Sequence, residues 1–188
     1  LVETPRNPWI ATAIPITLGW GSGLITKTSV KTWYPTLKKP PFTPPNYVLP
    51  IAWSGLYLAM GYASFRLANV DATQLPGTQL KELTKFTLKL YWTSLGLNLC
   101  WTPLFFGLKE VGAALVNINI LTPVTYYLTY KAFEVDQLAG YLLVPYSLWL
   151  TYATYLNGSL PFANFLGVNV DSWHLVSQLP PAITCQVF

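Results

Sequence analysis

The sequence predicts an all-α membrane protein: a five-transmembrane-helix bundle with a proline- and tryptophan-rich loop between helices 1 and 2. Three observations predict it. Charged residues are 10% of the 188 and apolar types 52%, against roughly 25% charged in ordinary soluble domains. The few charges divide the chain into five uncharged runs of spanning length, since a bilayer core of ~30 Å takes ~20 helical residues. Apolar residues do not alternate every second position, as a β-barrel wall requires. Lipid then leaves the helix as the form that satisfies its own backbone. The whole chain, 1–188, reads as one integral membrane domain.

Arg6 and Lys27 bracket the first run and predict helix 1 over about 7–26. Its Gly19, Gly21, Ser22 and Gly23 allow close helix approach, or leave space beside a bulky ligand. A secretory signal matches poorly, because the run is long and Pro15 interrupts it. Loop 1 follows, and between Trp33 and Pro45 it holds five prolines, three aromatics and two lysines. Pro40-Pro41 and Pro44-Pro45 fix φ and remove backbone donors, so neither helix nor central strand passes through. Such a stiff loop costs little entropy to order. It serves either as a plain connector with an interfacial anchor or as a fixed aromatic lid.

Helix 2 is expected over about 46–68, with Trp53, Tyr57 and Met60 on one face. A solvated linker containing Gln74, Pro76 and Gly77 leads to helix 3, about 86–108. Asn98, Trp101 and Phe105 share one of its faces; an Asn in a span is costly unless it pairs or lines a polar cavity. Lys109-Glu110 is the whole turn before helix 4, about 111–130, so helices 3 and 4 are antiparallel neighbours. Helix 5, about 137–157, carries Trp149, Ala153 and Asn157 on one stripe, and a tail, 158–188, follows with no lysine or arginine.

Several function classes fall away. A net charge of +4 is spread thinly, with no basic cluster of the nucleic-acid type. Cys100 and Cys185 form neither a CxxC pair nor a disulfide framework, and Cys100 reads as a small packing residue. The single histidine, His174, lies in the tail. No metal-ligand cluster, nucleophile–base pair or glycine-rich phosphate loop is present. No ionisable residue lies within the five runs, which argues against a channel or secondary transporter. Lysines and arginines divide five against six between the two sides, so they set no orientation.

The motifs Trp33-Tyr34-x-x-Leu37-x-Lys39-Pro40-x-Phe42-x-Pro44-Pro45 and Trp53-x-x-Leu56-Tyr57-x-x-Met60-Gly61 are followed by Leu97-Asn98-x-x-Trp101-x-Pro103-x-Phe105-Phe106-Gly107. Gly112-x-Ala114-Leu115-Val116 and Pro145-Tyr146-x-x-Trp149-Leu150-x-x-Ala153-Thr154-x-Leu156-Asn157 complete the series. In this order and spacing the chain, over roughly 8–157, resembles the translocator protein family, also called tryptophan-rich sensory protein or peripheral-type benzodiazepine receptor. The resemblance implies five transmembrane helices and an intrahelical pocket for porphyrins (protoporphyrin IX, haem), with cholesterol and benzodiazepine-type compounds as further ligands. No cofactor is implied beyond porphyrin or haem as ligand.

On this chain the implied pocket positions are Gly23, Leu49, Trp53, Tyr57, Asn98, Trp101, Phe105, Ala113, Trp149 and Ala153. Trp33, Phe42, Pro44 and Pro45 form the implied loop lid. Flat tetrapyrroles suit aromatic walls with a few placed polar groups. Each position has a plainer alternative: Trp53, Trp101 and Trp149 as belt or packing residues, Asn98 as a helix–helix hydrogen bond, Tyr57 as core. The chain departs from the family at Ala113, where tryptophan is common, and at Asn117, where aspartate is common. A cholesterol-recognition pattern at the end of helix 5 is absent, while Lys89-Leu90-Tyr91 with Leu95 fits the reversed form.

The resemblance favours a porphyrin- or sterol-binding receptor or carrier, with the bilayer and a possible homodimer as partners. The alternative is a light- or oxygen-dependent porphyrin-degrading enzyme using Trp53 and Trp149. A eukaryotic source would imply the mitochondrial outer membrane, a bacterial one the cell envelope.

Overall fold

The computed structural model describes residues 4–165 except Lys38 and Pro41. The expectations for the tail past 165, including His174 and Cys185, lie outside the described residues. Five α-helices run in order: α1 (Pro8–Thr32), α2 (Val48–Thr73), α3 (Gln79–Thr102), α4 (Val111–Val135) and α5 (Gln137–Phe165). A 3₁₀ turn, Tyr34–Thr36, follows α1, and a π turn, Pro103–Gly107, ends α3. Among the described residues there is no strand.

The helices outrun the uncharged segments that predict them. α1 continues through Lys27 and Lys31, and α3 starts seven residues before 86, taking in Lys81, Glu82, Lys85 and Lys89. Charge marks where an apolar slab must end; a helix needs only propensity and caps, and continues into the polar layer. The caps explain the actual ends. The Asn7 side chain accepts from the N–H groups of Trp9 and Ile10, and Thr78 accepts from Lys81. Asp136 is extended, and its carboxylate accepts the Ala139 N–H at 2.8 Å, starting α5 directly after α4.

By length and composition, α2 and α4 can cross a bilayer, and a third span results if the bent α1 is counted whole. α3 falls short because its first turns are charged, and α5 because tyrosines and hydroxyls dilute it. Cys100 is exposed on the outside of α3 rather than packed inside.

Helix pairing is antiparallel, with α4 against α5, α1 against α2, and α3 against α4. The α1–α2 contact is very close. At Gly61 any Cβ would collide with the backbone of Ala11 and Thr12, and at Gly19 with the Tyr57 ring. Toward the α2–α3 and α4–α5 turns the interior is filled by Met60, Ala63, Leu67, Leu95, Leu128 and Leu143. Hydroxyl pairs tie the helices there, Ser94 with Thr125 at 2.7 Å and Thr129 with Ser147 at 2.8 Å. Arg66 closes that end on Asp136 at 2.6 Å.

Candidate functional site

At the loop 1 end the bundle does not fill. The C-terminal half of α1, the start of α2, the ends of α3 and α5 and the middle of α4 surround a cavity of about 610 Å³. Its walls are built from helical faces. Trp53 and Tyr57, one turn apart on α2, stack with ring centres 5.4 Å apart. Trp149 of α5 meets Trp53 edge-on at 6.3 Å and Tyr152 at 5.6 Å. Trp101 stacks on Phe105 at 4.8 Å, and Phe105 meets Phe106 edge-on. Each such aromatic pair contributes about 0.5–1.5 kcal/mol beyond its buried area.

The π turn has a consequence for that wall. Phe105 and Phe106 of this turn are both buried, and both line the cavity. Pro103 initiates the turn, and the Leu108 N–H returns to the Pro103 carbonyl at 2.8 Å. Ser29 of α1 donates to the Phe106 carbonyl at 2.7 Å, joining α1 to this end of α3.

Gly23, Leu49, Trp53, Tyr57, Asn98, Trp101, Phe105, Trp149 and Ala153 all line the cavity. Ala113 does not; it sits exposed on the outer side of α4, so the missing indole leaves the cavity wall unchanged. Gly23 has open space where a Cβ would stand. Asn98 is buried and accepts the Tyr57 hydroxyl at 2.8 Å, so it both pairs across helices and faces the cavity. Asn117 stands apart from the cavity, its Oδ1 buried without a partner.

Loop 1 packs differently from the expected lid. Trp33, Phe42, Pro44 and Pro45 do not line the cavity. Trp33 leans on Phe105 from outside at 5.5 Å, and Phe42 is 86% exposed. Tyr34 does turn inward, as does Asn46 just before α2: the 3₁₀ turn places Tyr34 against Phe105 and Phe106 with the Lys39 ammonium 4.1 Å from its ring centre. Burial pushes the Tyr34 phenol above its ordinary pKa, and nearby Tyr152 adds to the shift. The loop is fastened where Tyr152 donates to the Phe42 carbonyl at 2.6 Å. Phe42 has φ 67°, a left-handed conformation that a bulky residue rarely adopts.

Residue-type reasoning also missed Lys27, Lys31 and Asn157, all of which line the cavity. The lysines serve in the sequence only as boundaries of a run. Asn157 was within reach: it continues the stripe of Trp149 and Ala153. Among the described residues no group of His, Cys, Asp or Glu is placed to hold a metal ion.

Fold and site together define a helical membrane protein whose bundle encloses an apolar, tryptophan-walled cavity open to space rather than packed. The profile of the TspO/MBR family matches residues 11–163, and the chain belongs to that family. It is 38% identical over 125 residues to the tryptophan-rich sensory protein of Cereibacter sphaeroides, covering 66% of this chain and 72% of that one. It is 38% identical over 131 residues to the translocator protein of Homo sapiens, covering 66% and 70%. The translocator protein homolog of Schizosaccharomyces pombe is 34% identical over 152 residues, covering 81% and 88%.

Proposed function

We propose that the chain is a receptor or carrier that holds a porphyrin, such as protoporphyrin IX or haem, in the cavity beside loop 1, with sterols and benzodiazepine-type compounds as further ligands. The carrying observation is the cavity itself: about 610 Å³ walled by Trp53, Tyr57, Trp101, Phe105 and Trp149. That size falls in the usual range for small-molecule sites, and flat π-surfaces suit stacking on a flat ligand. In this reading all five α-helices cross the bilayer. α1, α3 and α5 carry their charged or tyrosine-rich ends in the interfacial layers, where such residues are favourable. Loop 1 would cover the cavity through Tyr34, with the Tyr152–Phe42 bond as its fastening. In a eukaryotic cell the expected membrane is the mitochondrial outer membrane.

A second reading, oxidative breakdown of the bound porphyrin, draws on the neighbouring indoles of Trp53 and Trp149, which meet edge-on. One experiment separates the two. Detergent-purified protein is titrated with protoporphyrin IX, following tryptophan quenching in the dark and pigment absorbance under light. A binder gives saturable quenching and a stable pigment spectrum. Trp53→Phe and Trp149→Phe then each weaken binding about fivefold, the equivalent of about 1 kcal/mol. Light-dependent loss of pigment that vanishes in both variants supports breakdown instead. Absence of saturable quenching removes porphyrin as the ligand.

A further inference from the structure

The two ends of the bundle carry their charges differently. Four ion pairs join described residues, and all lie toward the α2–α3 and α4–α5 turns: Arg66 with Asp136, Lys81 with Asp71, Lys85 with Glu82 and Lys131 with Glu134. Every described acid at that end is matched, and of its basic residues only Arg6 and Lys89 stand outside a pair. The loop 1 end holds Lys27, Lys31, Lys39 and Lys109. None of them has a carboxylate within ion-pair distance among the described residues. The one described acid at this end, Glu110, is exposed.

The fold gathers those lysines. Lys27 and Lys31 lie one turn apart on α1, both exposed. Ser29, between them, donates to the Phe106 carbonyl and holds this stretch of α1 against the turn that leads to Lys109. Tyr34 packs on Phe105 and Phe106 and carries the Lys39 ammonium over its ring. The level of this cluster is set by α2 and α4, which are long and apolar enough to cross a bilayer. Both begin at the loop 1 end, at Val48 and Val111. The lysines therefore stand where these two spans leave the hydrocarbon. Phe42, Tyr47 and Leu108 are exposed at the same level. Lysine stems beside exposed apolar side chains fit the headgroup layer, where the apolar parts stay shallowly buried and the ammonium groups reach outward.

We propose that the outer surface of the loop 1 end binds the headgroups of anionic phospholipids, with Lys27, Lys31, Lys39 and Lys109 as its cations. The surface lies outside the cavity and is independent of what the cavity holds; it rests only on the chain being a membrane protein. Lysine ammonium groups are point charges with three donors on flexible stems, so they hold phosphate without demanding one headgroup shape. A zwitterionic headgroup presents the same phosphate, but its own cation opposes the attraction. Lysines near an anionic leaflet each add to the affinity, and salt weakens them together. At the opposite end each paired carboxylate repels the phosphate that its lysine or arginine attracts. The lysines alone would suit an acidic protein; the apolar side chains beside them favour lipid.

The test reconstitutes the full chain into phosphatidylcholine vesicles and adds spin-labelled phosphatidylglycerol or spin-labelled phosphatidylcholine as the probe. Electron spin resonance reads the fraction of each label held at the protein. The expected result is a preference of about fivefold for phosphatidylglycerol at low salt, falling to about unity in molar sodium chloride, where the screening length is only ~3 Å. Lys27→Gln/Lys31→Gln/Lys39→Gln/Lys109→Gln removes the preference. Lys27→Gln/Lys109→Gln, which keeps Lys39 on Tyr34, lowers it to about twofold. Arg6→Gln/Lys89→Gln, which removes the unpaired cations of the opposite end, keeps most of it. No preference, a preference that survives the fourfold variant or molar salt, or an equal loss in the two double variants overturns the surface. Binding of a hexaglutamate peptide that needs the same lysines, without any lipid preference, overturns it in favour of an acidic protein. Vesicle flotation separates the two ways to fail: a chain that floats but shows no preference loses the surface alone, and one that does not float loses its membrane assignment as well.

Discussion

Toward the α2–α3 and α4–α5 turns, Met60, Ala63, Leu67, Leu128, Ala132 and Leu143 are wholly buried, and the hydroxyl pairs Ser94–Thr125 and Thr129–Ser147 cross between helices beside them, while the buried Tyr91 hydroxyl has no partner. Toward loop 1 the same five helices hold tryptophans and phenylalanines apart around open space, with an indole and an amide unpaired. Small and aliphatic residues let helices close on one another, because little side chain stands between the backbones. Large flat rings braced edge-on against each other do the reverse. One bundle can thus be a clamp at one end and a container at the other, and substitutions should affect stability and binding separately.

The largest effect is expected where the closed end is tightest. Gly61→Ala places a methyl against the backbone of α1, which cannot rotate away as a side chain could. Overpacking of this kind costs typically about 1–3 kcal/mol, and Gly61→Ala belongs at the top of that range. A lowered midpoint in thermal unfolding in detergent checks it, and an unchanged midpoint would mean that α1 and α2 do not meet there.

Asp136→Asn should cost less, about 1–2 kcal/mol, mostly as a weakened cap on α5. The Arg66 side of the pair is 40% exposed and adds little. Burial disfavours the Asp136 carboxylate, but the Arg66 guanidinium and the N–H groups of Ala139 and Leu138 outweigh it and hold the carboxyl below its ordinary range. On acidification the unfolded chain therefore takes up its proton first. The stabilisation is complete above the unfolded value of about 3.9 and is lost as pH falls through the folded one. Melting curves from pH 7 to pH 3 should show wild type above Asp136→Asn at neutral pH and the two converging at the acid end.

At the open end the expected stability changes are small and the binding changes large. Tyr152→Phe removes the bond to the Phe42 carbonyl while keeping the ring on Trp149. A single hydrogen bond of this kind contributes about 1 kcal/mol, and here that loss should appear as faster ligand release, measured by stopped-flow quenching. The smallest effect belongs to Ala113→Trp. Its side chain is exposed on the outside of α4, so porphyrin affinity should stay within about twofold, since surface substitutions usually change free energies by under about 0.5 kcal/mol.

How far the two ends were legible in the sequence follows the same division. The order of the helices and the antiparallel α3–α4 neighbours are written in the spacing of charges, because lipid punishes every charge placed in its core, whereas the packing of α2 on α5 is not. Helix ends are not, because Lys27 and Lys31 interrupt an apolar run without interrupting a helix. The aromatic stripes on α2, α3 and α5 indicate the cavity-facing sides directly, since residues three and four apart must share a face. Loop 1 is harder: its prolines exclude regular structure but do not say which ring turns inward. Trp33 and Tyr34 are adjacent, and only the 3₁₀ turn decides between them. Ala113 shows the opposite limit, a position singled out by resemblance that the rotation of α4 carries away from the site.

The central claim is that ligand occupies the unfilled end, and Gly23 tests it most directly. A Cβ there meets nothing, so Gly23→Phe can place its ring in the cavity without displacing the helices. The account predicts an unfolding midpoint close to wild type together with at least a tenfold loss of protoporphyrin IX affinity, about 1.4 kcal/mol or more. Undiminished affinity in a normally folded Gly23→Phe would contradict it, because the ligand would then be bound somewhere else.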